Sequence, residues 1–393
     1  MSEAFDIAVV GGGAAGIAAA VGAARAGRTT ILLDQRAAGG GTGGFSGLTT
    51  LCGLFDDQGR FLNAGFVQEF AEMLSENQPP SHFDSADHRL LRFGLENGVP
   101  TRDPNRMKMG RVWVLHYRPE KFRAIAANLF ATTPHLQTRW NAPLTEVLME
   151  GNRIVRLNNF RVGAVIDCSG TAEVARMIGL DCLATDETTQ APAVIFPLCN
   201  VTRELNSTAA VAQVLLPLAR AGFPPLNFQT SFNSNVVTVK FTGPAEQVGD
   251  TISFLQKNVS GFENCRTPLT EFKATQRAGR MVPGQYLLTG ADVLAGRGFP
   301  DAVARCAWPI EQWSAAGVSR HRYLQPGAHY EIPARSLRAA HVENLFMAGK
   351  TISADVDAIA SARVMGCCLA TGAAAGVLAA NYSNSSCTDD ARA

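Results

Sequence analysis

A short glycine-rich segment near the N-terminus has the residue types and spacing to hold a phosphate group. Residues 11–16 read GGGAAG, a G-x-G-x-x-G that directly follows an apolar run. Gly11 permits a tight turn, Gly13 lets the backbone approach a diphosphate, and Gly16 lets a helix pack closely on a strand. The unpaired N–H groups at the helix start attract the anion. The predicted diphosphate site consists of Gly11, Gly13, Ala14, Ala15 and Gly16.

The segments around these glycines fit such a site. Residues 5–10 predict a strand, the small residues through Gly27 predict a helix, and Thr29–Asp34 predict a second strand, which together make a βαβ unit. Asp34 ends the second strand about 20 residues after the glycines, where a carboxylate bonds ribose hydroxyls. An acidic residue there also repels a 2′-phosphate. The unit therefore predicts a dinucleotide-binding fold.

Two later segments favour FAD over NAD. Val165–Gly170 (VIDCSG) and Asn344–Lys350 (NLFMAGK) each predict a strand that ends at a glycine. Either one alone is also an ordinary transition from strand to loop. Together they bring backbone from two distant parts of the chain to one long cofactor, as a flavin that spans the domain requires. The residues expected to contact FAD here are Ser169, Gly170, Ala348 and Gly349.

The chain resembles the FAD-dependent oxidoreductase family, within the glutathione-reductase-type flavoproteins, over nearly its whole length. Gly39–Leu48, Asp167–Glu173 and Ile332–Leu337 are similar to segments of that family. Thr171 and Ala172 depart from the family pattern, so no acidic role is carried over to them. The resemblance implies an α/β fold: a Rossmann-like FAD-binding domain, split in sequence, with an inserted α+β substrate domain.

The same resemblance implies a division of the chain. We expect residues 1–60, 130–180 and 330–380 to form the FAD-binding domain, and residues 61–129 and 181–329 the substrate or cap domain. The polar tail 381–393 is expected to be disordered. Other predicted elements are a meander from Leu144 to Asp167, helices over Phe66–Leu74, Val248–Lys257 and Asp301–Cys306, a strand over Val236–Phe241 and a loop over Gln78–Ser81.

At the flavin end, the resemblance implies a helix that begins near Arg363 and directs its positive N-terminus at the flavin N1–C2=O edge. The small residues of Val364–Ala380 allow this close approach, although they are equally typical of a buried core helix. Asp355 and Asp357 could bond the flavin or ribityl chain, or cap the following helix. The remaining predicted cofactor contacts are Gly40, Gly41, Thr42, Asp355, Arg363 and Val364.

Non-covalent FAD binding is expected. The glycine-rich loop has no adjacent His or Cys in a pattern that would link the flavin covalently. Cys52 is the nearest candidate, and it is interpreted as a small buried hydrophobic residue.

Candidate catalytic residues lie just before the last predicted strand. His329, Tyr330 and Arg335 stand where a loop could reach the flavin face. His329 could accept a proton as hydride leaves, or it could simply be hydrogen-bonded in place. His116 and Tyr117 are weaker candidates.

Two arginines form a second group. Arg277 and Arg280 could bind a carboxylate or the flavin's own phosphates, or could form structural ion pairs.

Composition narrows the function classes. Hydrophobic residues make up 46% of the chain and the net charge is +1, so the sequence does not predict the strong positive charge that nucleic-acid binding requires. Nine cysteines show neither CxxC spacing nor paired His ligands, so neither a metal site nor a disulfide framework is predicted. No apolar run of membrane length and no basic leader appear. We therefore expect a reduced, cytoplasmic protein without a membrane span.

Three absent motifs narrow the reaction. No CxxxxC follows the glycine loop, no second G-x-G-x-x-G marks a nicotinamide domain, and no W-x-W-x-I-P marks a halogenase. The predicted function is an FAD-dependent dehydrogenase or oxidase that moves a hydride between a small organic substrate and flavin N5. An external electron acceptor or O2 then takes the electrons. The alternatives are a flavin monooxygenase reduced by external NAD(P)H, and a non-catalytic flavoprotein that serves as a partner or assembly factor.

Overall fold

A seven-stranded sheet forms the centre of the protein in the computed structural model, which describes residues 3–75, 94–96, 99–101, 106–109, 111–185, 190–205, 208–230, 235–277, 279–314 and 317–390. Four parallel strands lie in the order Leu136–Arg139, Thr30–Leu33, Ala4–Val10 and Phe160–Asp167. Leu345–Met347 pairs in parallel with the end of the fourth strand.

The carboxyl ends of these parallel strands meet at one edge of the sheet. Val10 lies opposite both Leu33 and Asp167, and Asp167 lies opposite Met347. Ligands of open α/β sheets bind at this edge, outside the carboxyl ends of the strands. The predicted βαβ unit is confirmed, with a helix over Ala14–Arg25 between its two strands.

The predicted meander is also present. Val147–Glu150, Arg153–Leu157 and Phe160–Asp167 run antiparallel and extend the main sheet. The remaining strands are Thr50–Cys52, Gly94–Glu96, Val99–Thr101, Arg106–Met109, Val112–His116, Leu183–Ala184, Ala193–Cys199, Leu226–Thr230, Val236–Phe241, Ala274–Thr275, Arg280–Met281, Ala302–Cys306, Ile310–Trp313, Ser319–Arg322 and Tyr330–Pro333. The other helices are Gly41–Phe45, Phe66–Leu74, Pro119–Thr132, Glu173–Met177, Thr208–Arg220, Val248–Asn258, Gly290–Ala295, Val356–Ala362 and Met365–Asp390, with 3₁₀ turns at Ala245–Gln247, Ala334–Leu337 and Gly349–Thr351.

A second, antiparallel sheet has an apolar core of its own. Its four strands lie in the order Leu226–Thr230, Val236–Phe241, Ala193–Cys199 and Ala274–Thr275. Phe196, Val239 and Phe241 are buried on it, together with apolar residues of the helix Val248–Asn258. The sheet and its helices have the α+β character expected for a substrate domain. The domain boundaries stay a prediction.

The last helix, Met365–Asp390 (the C-terminal helix), packs along Ala14–Arg25 (the glycine-loop helix). A Cβ at Gly372 would overlap the carbonyl oxygen of Ala15, and a Cβ at Gly376 would lie 2.5 Å from that of Ala19. The absence of side chains at these two glycines therefore lets the two helix backbones touch. The segment Met365–Asn384 is long and apolar enough to cross a membrane, and 61% of it is buried inside the protein.

Three expectations are wrong. Ala302–Cys306 is a strand rather than a helix, because it pairs with Tyr330–Pro333 and tertiary pairing overrides a weak local preference. The tail is not disordered from residue 381: the C-terminal helix continues to Asp390, and the ring of Tyr382 packs on Phe346. The last three residues, 391–393, and the predicted loop Gln78–Ser81 lie outside the described residues.

The third correction concerns the cysteines. Cys306 and Cys367 form a disulfide, although no disulfide framework was predicted. The two residues are 61 positions apart in sequence, and they meet because the strand Ala302–Cys306 lies against the C-terminal helix. Such a pairing leaves no local spacing signal in the sequence.

The contact between the two helices gives a first prediction. Gly372→Ala should lower the free energy of unfolding by about 1–3 kcal/mol, because the added methyl overlaps the Ala15 carbonyl. Gly249→Ala is the matched control. Gly249 is exposed on a helix and a Cβ there meets nothing within 4 Å, so the same change should be neutral or stabilising by up to about 1 kcal/mol. Urea unfolding at saturating FAD measures both variants, and equal effects would contradict the proposed helix contact.

Candidate functional site

A long cavity starts at the carboxyl edge of the main sheet and continues to residues of the four-stranded sheet. At one end it is lined by the glycine loop and Asp34, and at the other by Lys240, Arg277 and Glu311. The site therefore combines a backbone-lined half and a charged half.

The glycine loop has the shape of an anion cradle. Gly13 is the N-cap of the glycine-loop helix and provides no side-chain cap, so the first N–H groups of that helix remain available to a ligand. Gly11 has a φ of +99°, and a Cβ there would lie 2.7 Å from the carbonyl oxygen of Cys168. A Cβ at Gly13 would meet nothing within 4 Å, because that face opens into the cavity. Ala14 and Ala15 line the cavity beside them.

Gly16 has the packing role predicted from the sequence. A Cβ at this position would overlap the carbonyl oxygen of Gly11, so only glycine lets the helix lie this close to the turn. Gly16 is not among the residues that line the cavity.

Asp34 stands where the sequence placed the ribose carboxylate. It is buried, lines the cavity, and accepts hydrogen bonds from the N–H of Gly12 at 2.6 Å and of Arg36 at 2.8 Å. These bonds fix the carboxylate at the end of its strand and hold the glycine turn against it.

The glycine-rich segment after Asp34 forms a short helix, Gly41–Phe45, and Gly41 and Thr42 line the cavity. Gly40 does not line it; its φ of +125° turns the chain into the helix. The Tyr117 hydroxyl donates to the carbonyl of Gly43 at 2.9 Å, so this residue supports the helix from behind. His116 is also buried, and burial lowers its pKa to about 4. The two weaker catalytic candidates thus lie behind the cavity wall.

Asp167 organises the turn that carries Ser169 and Gly170. Its carboxylate accepts from the Ser169 N–H at 3.0 Å, the Ser169 hydroxyl at 2.6 Å and the Val174 N–H at 3.0 Å. Complete burial raises the pKa of Asp167. Ser169 and Gly170 both line the cavity, and their contact with FAD stays a prediction.

The last strand delivers a second backbone segment. Gly349 lines the cavity, whereas Ala348 is buried beneath it and does not. Lys350 also lines the cavity, close to Gly170, and burial lowers its pKa to about 8.

The C-terminal helix begins at the cavity wall. Arg363, Val364 and Met365 all line the cavity, as expected for a helix start near a flavin. A Cβ at Gly366 would lie 2.5 Å from the backbone of Gly53, so the loop after Thr50–Cys52 is pressed against this helix start.

A charged group occupies the far end of the cavity. Lys240, Arg277 and Arg363, here called the cationic cluster, line it together with Glu311. Burial opposes the charge of Glu311, but the contact of His321 and the charges of Arg363 and Lys240 hold its pKa well below the usual range. Glu311 is therefore an ionised carboxylate.

Several partners fix Glu311. Its Oε2 accepts from Trp308 Nε1 at 3.1 Å and lies 3.7 Å from an Arg363 nitrogen. Its Oε1 lies 3.5 Å from His321 Nε2, on the strand paired with it. Sequence reasoning missed Glu311 and Lys240. The usable signals were a lysine inside the apolar strand VVTVKF, and the i, i+2 spacing of Glu311 and Trp313, which places both on one face of a strand.

The structure does not bring the predicted catalytic residues to the cavity. None of His329, Tyr330 and Arg335 lines it. The Tyr330 hydroxyl is buried 2.8 Å from Ser361 Oγ, and Arg335 pairs with Asp301 at 3.0 Å. A loop before the last strand was expected to reach the flavin face. That segment instead pairs with Ala302–Cys306 and packs away from the cavity.

The structure also decides between the alternatives for Asp355 and for the two arginines. Asp355 caps the helix Val356–Ala362, accepting from the N–H groups of Asp357 at 3.0 Å and Ala358 at 2.7 Å, and does not line the cavity. This is the capping alternative rather than a flavin contact. Of the two predicted arginines, Arg277 lines the cavity, whereas Arg280 is exposed on a short strand outside it.

Comparison with known proteins identifies the family of the chain. A model of the FAD dependent oxidoreductase family matches residues 6–234 and 225–390. The chain belongs to this family. FAD is its cofactor, and the backbone-lined half of the cavity fits the group, because the open face of Gly13 and the uncapped helix start lie where a diphosphate needs N–H donors.

The FAD dependent oxidoreductase is similar in fold to two solved structures. One is a geranylgeranyl bacteriochlorophyll reductase-like protein of Thermoplasma acidophilum, with a TM-score of 0.50, 13% identity, and coverage of 99% of this chain and 80% of that one. The other is Aquifex aeolicus GidA, with a TM-score of 0.50, 14% identity, and coverage of 98% and 64%. At these identities the similarity shows the shared Rossmann-like fold alone. A search of curated protein sequences gave no match.

The open face of Gly13 yields a second prediction. Gly13→Val should leave the flavin-free fold intact, because its Cβ has room and its φ of −78° suits any residue. The side chain would enter the space of the diphosphate, so the Kd for FAD should rise about tenfold or more. Titration of the apoprotein by flavin fluorescence measures the affinity, and circular dichroism controls for folding. An unchanged Kd would contradict the cradle.

Non-covalent attachment gives a third prediction. Three cysteines line the cavity, and burial raises the pKa of Cys52 to about 12 and of Cys368 to about 11, and that of Cys168 well above its usual value. Their thiols are protonated at neutral pH and are poor nucleophiles. Acid precipitation of the purified holoprotein should therefore release all the flavin into the supernatant. A yellow pellet after washing would contradict this expectation.

Proposed function

We propose that this oxidoreductase is a dehydrogenase or oxidase in which an organic substrate transfers a hydride to flavin N5. An external acceptor or O2 then takes the electrons. The observation that carries the proposal is the continuity of the cavity: a wall of backbone suited to FAD leads without a break to charged side chains of the second sheet. A small molecule bound among those side chains is placed beside the flavin end of the cofactor.

Different residues along the cavity have different roles in the proposed reaction. The glycine loop and helix start bind the diphosphate, and Asp34 bonds the ribose. The start of the C-terminal helix presents its positive end, which stabilises negative charge at the flavin edge. FAD, when bound, supplies the two-electron chemistry, and no side chain needs to provide it.

Glu311 serves to hold charge rather than to move a proton. Because its pKa lies well below the usual range, it is a weak base at neutral pH. Its three partners also keep it directed at the arginine and the indole. Its role in the proposed reaction is to position Arg363 at the cavity wall.

Anaerobic mixing tests the proposed reaction. The flavin of the holoprotein should stay oxidised with NADH or NADPH, and should bleach with a small-molecule cell extract whose nicotinamide nucleotides have first been oxidised enzymatically. Admission of air or an artificial acceptor should then restore the colour. The measurement is stopped-flow absorbance of the flavin, and free FAD in the same extract is the control.

Two other results would contradict the proposal. Rapid bleaching by a nicotinamide nucleotide alone would favour a monooxygenase reduced from outside. A flavin that no reductant or extract bleaches would favour a non-catalytic flavoprotein. The cytoplasmic location expected from the sequence stays a prediction.

A further inference from the structure

The cationic cluster assembles three positive side chains from separate parts of the chain. Lys240 lies on a central strand of the four-stranded sheet, Arg277 follows the edge strand Ala274–Thr275, and Arg363 precedes the C-terminal helix. They are close enough to influence one another: burial and the positive charge of Arg363 together lower the pKa of Arg277 to about 10. The pKa of Lys240 is likewise lowered by burial and by both arginines. Three cations therefore share one partly desolvated space.

The local negative charge does not balance them. Glu311 is the acidic side chain lining this end of the cavity among the described residues, and Trp308, His321 and Arg363 already hold it. The other acidic lining residues, Asp34 and Glu173, belong to the glycine-loop end, where each lies near the strand ends of the main sheet. Buried charges are costly unless they are paired, so the cluster is incomplete by at least one anion.

The donors of the cluster are also incompletely used. Arg363 Nε is buried and has no hydrogen-bond partner among the described residues. The Arg277 guanidinium donates to the carbonyl of Ala191 and lies 4.3 Å from the centre of the Trp313 ring, which fixes its plane. A guanidinium held flat in this way is pre-organised to bind a planar anion through two parallel hydrogen bonds.

The cluster is not the diphosphate site. The charged groups that act on Arg277 are Arg363 and Glu311, at the far end of the cavity. The glycine-loop half has cations of its own, Arg36 and Lys350; Lys350 lies against Gly170 and is influenced by both Arg363 and Arg36. Lys240 lies on the second sheet and Arg277 lies just beyond its edge strand, whereas the predicted FAD cradle lies on the main sheet.

We infer that the cationic cluster binds a carboxylate group of the substrate, so that the oxidoreductase acts on an organic acid. This inference rests on the proposed function, because it assigns the charged half of the cavity to the molecule that exchanges electrons with FAD. Arg277 supplies N–H donors in a fixed plane, and Lys240 and Arg363 supply further positive charge. Trp313 beneath Arg277 keeps the guanidinium in place.

Titration of the FAD-loaded protein with matched pairs of ligands tests the inference. Acetate, benzoate and succinate are each compared with the corresponding amide at constant ionic strength, and binding is followed as a perturbation of the flavin absorbance. At least one acid should bind about tenfold or more tightly than its amide, because a charge-assisted pair is replaced by a neutral one. If no acid is preferred over its amide, or if no acid binds, the inference is wrong.

Variants assign the preference to the cluster. Arg277→Met and Lys240→Met should each weaken the preferred acid about tenfold or more, with little change for its amide. Arg277→Lys should retain part of the affinity. Arg305→Met is the matched control, because Arg305 pairs with Glu331 outside the cavity and its loss should change neither ligand. Flavin content and unfolding midpoints show whether each variant remains folded. A folded Arg277→Met protein with full affinity for the acid would overturn the assignment.

A second titration distinguishes a carboxylate from a phosphate, the two anions that such a cluster can bind. Methyl phosphate is titrated in parallel, and tighter binding of this ester than of every acid would overturn the carboxylate assignment. The outcome is also distinguishable from failure of the proposed reaction. If acids bind but no substrate reduces the flavin, the anion site is supported and the proposed hydride transfer is wrong. If only neutral substrates reduce the flavin, the hydride transfer is supported and the anion site is wrong.

Discussion

The contact between the glycine-loop helix and the C-terminal helix is the constraint on which the site depends. Gly372 and Gly376 bring the later helix onto the backbone of Ala15 and Ala19, at a distance that any larger residue would prevent. Both helices begin at the cavity wall, one at Gly13 and the other beside Arg363. The close packing thus fixes the spacing between two positive helix ends. One end is suited to the diphosphate and the other to the flavin edge.

In the proposed function, the cofactor and the substrate are bound by groups of different kinds. The FAD half of the cavity is made mostly of backbone, namely glycine turns, a helix start and strand ends, and its acidic side chains among the described residues are Asp34 and Glu173. Backbone groups cannot be varied by substitution without changing the fold. The charged half is made of long side chains from three parts of the chain: Lys240 and Arg277 on or beside the second sheet, Glu311 on a separate two-stranded sheet, and Arg363 before the C-terminal helix.

The residues of the cavity wall that could be predicted from the sequence follow the same division. Gly11, Gly13, Asp34, Ser169 and Gly349 were predictable because each stands beside a strand end, and a cofactor bound by backbone leaves local sequence patterns. The helix start at Arg363 was predicted through the family resemblance and lies at the cavity as expected.

The charged half could not be predicted in the same way. Lys240, Arg277, Glu311 and Arg363 share no spacing, and only the pairing of distant strands and the helix contact bring them together. His329 and Tyr330 were favoured because they precede the last strand of the main sheet. Pairing of this segment with Ala302–Cys306 turns Tyr330 into the core instead, where its hydroxyl meets Ser361. Position along the chain indicates which sheet edge a residue approaches, but not the direction of its side chain.

Glu311 shows how the two halves are joined. Glu311 lies on a strand outside both the main sheet and the four-stranded sheet. Its carboxylate pairs with Arg363 at the start of the C-terminal helix and attracts Lys240 on the four-stranded sheet. An unpaired carboxylate at this depth would be strongly destabilising, and so would three unpaired cations. The cluster is tolerable because Glu311 offsets part of the positive charge while His321 and Trp308 satisfy its remaining oxygen positions. What is left uncompensated is positive and faces the cavity, so the electrostatics of the fold itself favour a negatively charged ligand beside the flavin.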